Sequence, residues 1–155
     1  MSKNREEMAI EINNLLAEKA DFWNISDLQV NYLNETLSLK LVSVSNADIL
    51  KTFIKFEQVL SLYIQQDSEF RLNEWTETDP MLLSEISYHP DGFGFVKIKS
   101  LDQELTEIEN INSSTNFYFQ VNNKDHFFVE ANCVTINEKT FSNLICDEEK
   151  LRNPY

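Results

Sequence analysis

The chain has 155 residues, with 13 Lys plus Arg against 26 Asp plus Glu and a formal net charge of −13 at pH 7. Such a field repels nucleic acid and anionic membrane surfaces and attracts basic proteins. No apolar run approaches the ~20 residues of a membrane-spanning helix. An ordinary hydrophobic content of 42% without a polar low-complexity stretch argues for one folded domain over residues 1–155.

The start, Met1-Ser2-Lys3-Asn4-Arg5-Glu6-Glu7, is charged and unlike a signal-peptide core, which predicts a cytoplasmic protein. Cys133 and Cys146 fit that placement as reduced thiols, a single bridge between them being the alternative. From Glu6 to Ala20, Met8, Ile12, Leu15 and Leu16 form one helical stripe. Asn4 caps it, Glu7 stands at capping-box spacing, and Phe22 and Trp23 tuck its end.

After Trp23 the period becomes two. Leu28, Val30 and Tyr32 alternate with polar residues, as do Leu37, Leu39 and Leu41. A two-residue turn at Asn34-Glu35 pairs Tyr32 with Leu37, Val30 with Leu39 and Leu28 with Leu41, all on one face. Residues 46–65 support two readings: a helix capped by Asn46 and carrying Ile49, Leu50, Phe53 and Ile54, or a strand from about Thr52. Even-numbered Ile54, Phe56, Leu60, Leu62 and Ile64 favour the strand. Phe70, Leu72 and Trp75 suggest a weaker one before Asp79-Pro80.

A strand from Leu82 to Tyr88 meets the turn His89-Pro90-Asp91-Gly92, which sets Tyr88 opposite Phe93 and Ile86 opposite Phe95. Val96 and Ile98 point the other way, implying a bulge or burial on both faces. Ser100 opens a short helix with the stripe Leu101, Leu105 and Ile108. In the last hairpin, a three-residue loop at Asn122-Asn123-Lys124 aligns Phe119 with Phe127 and Phe117 with Val129. Val134 and Ile136 then break phase, which predicts a bulge near Asn132, and the tail after Asp147 forms a short helix or frays. The sum is an α+β plan: an N-terminal helix packed on a mainly antiparallel curved sheet or β-sandwich built from hairpins.

Catalytic and cofactor motifs are missing. Gly92 and Gly94 are the two glycines, too few for a phosphate-cradling loop, and read as a turn and a strand glycine. His126 and Cys133 lie seven apart in one strand, on opposite faces unless a bulge intervenes, so no metal site or cofactor is predicted. Gly92 lacks a calcium-loop frame. His89 and His126 each offer a base to a serine, but no nucleophile elbow is present. They read as a solvent-facing turn residue and a strand-end residue, Cys133 as a small core residue, and the aromatics as core-facing. Two acidic clusters, Glu74, Glu77 and Asp79, and Asp102, Glu104, Glu107 and Glu109, are either solvated surface or a binding face for Lys and Arg of a partner.

In size, acidity and helix-plus-sheet plan the chain resembles small bacterial immunity proteins, the antidotes of contact-dependent or polymorphic toxin systems. The segment Phe53-Ile54-Lys55-Phe56-Glu57-Gln58-Val59-Leu60-Ser61-Leu62 is similar in style to a strand of that group. The resemblance implies a non-catalytic protein that binds and neutralises a basic, nuclease-like toxin domain. A different class, a stand-alone β-rich domain holding a small apolar ligand or serving as a structural subunit, is the alternative.

Overall fold

The computed structural model describes residues 4–18, 23–45, 48–66, 81–93, 96–98 and 111–145. Within them lie helix α1 (Arg5–Ala17) and strands β1 (Asn24–Asn31), β2 (Thr36–Ser45), β3 (Asp48–Gln65), β4 (Leu83–Tyr88), β5 (Val96–Ile98), β6 (Ile111–Ser113), β7 (Phe117–Val121), β8 (Asp125–Ile136) and β9 (Lys139–Phe141). The Asn4 side chain accepts from the Glu7 N–H at 2.8 Å, the expected cap. Ile12 and Leu16 are fully buried with Met8 and Leu15 packed beside them, so the predicted stripe is the packing face. The Trp23 indole donates to the Glu18 carbonyl at 3.0 Å and closes the helix end.

The main sheet is antiparallel and runs β1-β2-β3-β8-β7-β4, with β9 also on β8, while β5 and β6 pair separately. One face carries Leu37, Leu39, Leu41, Ile54, Phe56, Phe117, Phe119 and Val129, all fully buried. Phe56 is central, 4.9 Å edge-on from Phe117 and 6.3 Å from Phe119, which stacks on Phe127 at 4.5 Å. Burying each such side chain is worth about 1.5–3 kcal/mol. The end strands β1 and β4 meet at one point: Asn24 bridges Leu82, Ile25 N–H reaches Met81 O at 2.6 Å, and Leu83 N–H reaches Trp23 O at 3.0 Å.

Elsewhere the ladder is completed by asparagine. Asn13 of α1 donates to Tyr88 O at 2.8 Å and accepts from Tyr88 N–H at 2.7 Å, taking a strand's place on the edge of β4. Strands β7 and β9 lie end to end on β8, leaving Ala131 between them. Buried Asn116 fills that gap: its amide accepts from Ala131 N–H at 3.0 Å and donates to Ala131 O at 2.9 Å and Leu144 O at 2.8 Å. Asn122 and Asn137 are left-handed, with φ of 55° each. Their N–H groups continue the ladder to Leu82 O and Phe53 O, while their side-chain oxygens accept from Leu82 N–H at 2.7 Å and Phe53 N–H at 3.0 Å. Asparagine tolerates the left-handed conformation better than other non-glycine residues, and its amide imitates a peptide group.

Several expectations change. The first hairpin pairs Leu28 with Leu39 and Val30 with Leu37, two residues from the predicted register. Its loop is Tyr32–Glu35, held by Asn34 N–H on Asn31 Oδ1 at 3.1 Å and by Glu35 at φ 56°. A two-residue shift preserves facing, so Leu37, Leu39 and Leu41 still point inward, but Val30 and Tyr32 overhang the core and are exposed. Over 48–65 the chain is strand, beginning earlier than Thr52, and the helical reading fails. The turn His89–Gly92 forms, with Gly92 N–H on His89 O at 2.9 Å and Gly92 at φ 76°. It makes no hairpin, because Tyr88 and Ile86 pair with Phe117 and Phe119 of β7. The loop 122–124 and its register are as predicted. Burial does change phase at Ala131–Asn132, but the register slip lies on β3, between Val59 and Ser61, beside Gln58 at φ 51°. The strand reading at 70–75, the helix from Ser100, Phe22, Phe95, Gly94 and the tail fall outside the described residues.

Replacing Asn116 by Ala takes the partner from the buried N–H and carbonyl of Ala131 and one of two donors from Leu144 O. It is expected to lower unfolding stability in urea by about 3 kcal/mol, against about 1 kcal/mol or less for Asn137→Ala at the exposed turn.

Candidate functional site

The face of the sheet opposite the core is not polar throughout. Phe117-Tyr118-Phe119 on β7 and Phe127-Phe128 on β8 place an aromatic residue on both faces, because strand neighbours alternate. Pairing then aligns Ser87, Tyr118, Phe128 and Tyr63 across β4, β7, β8 and β3. Tyr118 lies 5.2 Å from Phe128, and Tyr63 lies 6.2 Å from it. The next row holds Glu85, Gln120, His126 and Gln65.

The turn after β4 adds two more rings. His89 N–H donates to Asn116 O at 2.7 Å and Phe93 N–H to Thr115 O at 3.0 Å, which pins the turn above β7. His89 packs on Phe93 at 4.0 Å, and Phe93 reaches Phe128 edge-on at 5.6 Å and Tyr118 at 6.0 Å. His126 also stacks on Tyr118, at 5.9 Å, with its Nδ1 2.7 Å from the Tyr118 hydroxyl. The result is a patch of His89, Phe93, Tyr118, His126, Phe128 and Tyr63, of which Phe93 is 39% and Tyr63 48% exposed.

Its electrostatics are mild. Burial lowers the pKa of His89, partly offset by Glu85, four residues earlier on β4. Burial, and then Glu85, raise that of the Tyr118 phenol, which therefore stays a donor at neutral pH. Ser87 Oγ is 3.0 Å from His89 Nε2, the contact that a nucleophile and its base would make. Among the described residues no carboxylate hydrogen-bonds the His89 ring to orient it, so this is half of a triad.

His89 lies in the turn after β4 and His126 near the start of β8, as expected, but both are half-buried members of one patch, and His89 is not simply solvent-facing. Tyr118, Phe128, Tyr63 and Phe93 are likewise not core-facing as expected; two adjacent aromatics in a strand were the signal of a second aromatic face. Cys133 is not a core residue either. It lies on the outer face, its Sγ 3.6 Å from Gln58 Oε1 and from Ser142 Oγ. The phase change before it puts Cys133 and His126 on the same face, but seven residues of strand separate them by about 23 Å. Among the described residues no group of three or more His, Cys, Asp or Glu is arranged to hold a metal ion. Glu74, Glu77, Asp79, Asp102, Glu104, Glu107 and Glu109 all lie outside the described residues.

A second apolar surface lies at the β1–β2 loop. Tyr32 and Leu33 are each 88% exposed there, beside a cleft of about 530 Å³ walled by Val30, Val59, Leu60 and Leu62.

Residues 12–141 match the family model described as YxiG-like protein, and the chain belongs to that family. No curated protein matches the sequence.

Because the lowered pKa of His89 disfavours its cation in the folded state, its contribution to stability is intact above the ordinary value of 6.5 and declines as pH falls through it. The unfolded chain takes up that proton first. His89→Gln is expected to flatten the fall in melting temperature between pH 7.5 and pH 5.5, measured by circular dichroism in parallel with the parent chain.

Proposed function

We propose that this member of the YxiG-like family is a non-catalytic binding protein of the immunity type, which neutralises a basic, nuclease-like toxin domain in the cytoplasm by occupying its surface. The observation that carries the reading is the aromatic and histidine patch on the outer face of β4, β7, β8 and β3. Monomeric proteins rarely leave contiguous aromatic surface in solvent, and Tyr and Phe are enriched where partners dock. The charge of −13 supplies the long-range part: it speeds encounter with a basic domain, while the rings hold it after contact. The half-formed Ser87–His89 pair does not by itself supply catalysis.

We read the main sheet as strongly curved and not as half of a sandwich, a view supported by the meeting of β1 with β4 at Asn24 and Leu82. The cleft beside Tyr32 and Leu33 favours a second reading, a small apolar ligand held at the β1–β2 end.

The test is protection. A toxin domain encoded beside this gene is expressed in cells with and without the chain, and growth is scored. The parent chain restores growth, and Tyr118→Ala with Phe128→Ala weakens its affinity for the purified domain by roughly 100-fold while the chain stays folded. Absence of protection together with absence of a complex between the purified proteins refutes the reading.

A further inference from the structure

On β2 and β3, well along the sheet from the aromatic patch, three lysines gather. Lys40 stands opposite Phe53, Lys51 opposite Val42 and Lys55 opposite Ser38. Phe53 therefore has a lysine two residues away on each side along its own strand and a third across the ladder. Beneath them lies a hollow of about 460 Å³, lined by Lys40, Lys51, Val42, Phe53, Ser26 and Asn137 among others. Its volume falls within the roughly 300–1,000 Å³ of small-molecule sites.

Two details distinguish this hollow from ordinary surface. Its charged lining consists of Lys40 and Lys51 with no carboxylate, in a chain with twice as many acidic as basic residues. Asp27 stands opposite Lys40 across β1 and β2 but does not line it. Its framework is also pinned: Ser26 Oγ donates to Lys40 O at 3.1 Å, and Asn137 Oδ1 accepts from Phe53 N–H at 3.0 Å.

We propose that this hollow binds a small amphipathic anion, an apolar body resting on Val42 and Phe53 with a carboxylate between Lys40 and Lys51. Exposed ammonium groups are strongly hydrated and give little affinity alone, so the apolar floor supplies most of the binding and the lysines choose the sign of the head group. Because the hollow is remote from the aromatic patch, this site stands or falls separately from toxin binding.

Calorimetric titration of the full chain at low salt compares octanoate, 1-octanol and octylammonium. Octanoate is expected to bind saturably at one site, about tenfold tighter than 1-octanol, with octylammonium weakest. Lys40→Gln with Lys51→Gln removes the preference for octanoate and leaves 1-octanol binding in place, whereas Lys124→Gln changes neither. Both lysines are exposed, and circular dichroism verifies that the double variant is folded. The proposal is overturned by octanoate binding no better than 1-octanol or not at all, by a preference that survives the double variant, or by association with phosphatidylglycerol vesicles alone.

Discussion

Every buried peptide group in a sheet needs a partner, and this fold meets that demand at its interruptions with asparagine amides. The need is sharpest on β8. Its one side is occupied by β3, but its other side is shared by β7 and β9, which leave a gap at Ala131. A gap of that kind inside a core would strand an N–H and a carbonyl at a cost of about 1–3 kcal/mol each. The Asn116 side chain closes it, and its remaining N–H ties down Leu144. Tyr88 reinforces the same carbonyl through its hydroxyl at 3.1 Å. The chain after β9 is thus tied to the gap it leaves, by the Asn116 amide and Tyr88 on Leu144 O and by the Leu144 N–H on Asn132.

The same solution sets which faces the sheet has available. Asn13 fastens α1 to the backbone of β4, and Ile12 and Leu16, on the same helix, are buried in the core. The helix is thereby committed to one face and one edge. The opposite face has no helix upon it among the described residues, and there the aromatic patch and the lysine-rimmed hollow lie apart, sharing only β3, on which Tyr63 and Phe53 stand ten residues from each other. Hydrogen bonds from the turn after β4 to Thr115 and Asn116 carry His89 and Phe93 onto that face. A residue that fills a defect in the core is thus also the anchor of the candidate site.

Much of the fold was legible in the sequence because apolar alternation records which face is inward. Leu37, Leu39 and Leu41 and the 122–124 loop with its register follow from it, as the helical stripe and the Asn4 cap follow from the helical period and the capping pattern. Register in the first hairpin did not, since shifts by two residues leave alternation unchanged and only the loop decides between them. The turn at His89–Gly92 looked like a hairpin because local signals cannot show that β4 has a more distant partner in β7. The candidate site was less legible. Its aromatics were assigned together to core-facing alternate positions, although Tyr118 between two phenylalanines has the wrong parity for it. The asparagines carried a signal too, but composition alone does not separate an amide that completes a ladder from one that faces water.

The amides also differ in which atom they use, and that sets a chemical rule for how this sequence can change. Asn122 and Asn137 contribute only an oxygen from the side chain, a role that a carboxylate performs equally well. Asn13 and Asn116 contribute N–H groups as well, and Asn116 does so where there is no water. Replacement of the amide by an acid, as in Asn→Asp, would therefore keep the side-chain bond at the turns. At the gap on β8 it would place a buried charge against two carbonyl oxygens. There the identity of a single atom, nitrogen and not oxygen, decides whether the side chain fits.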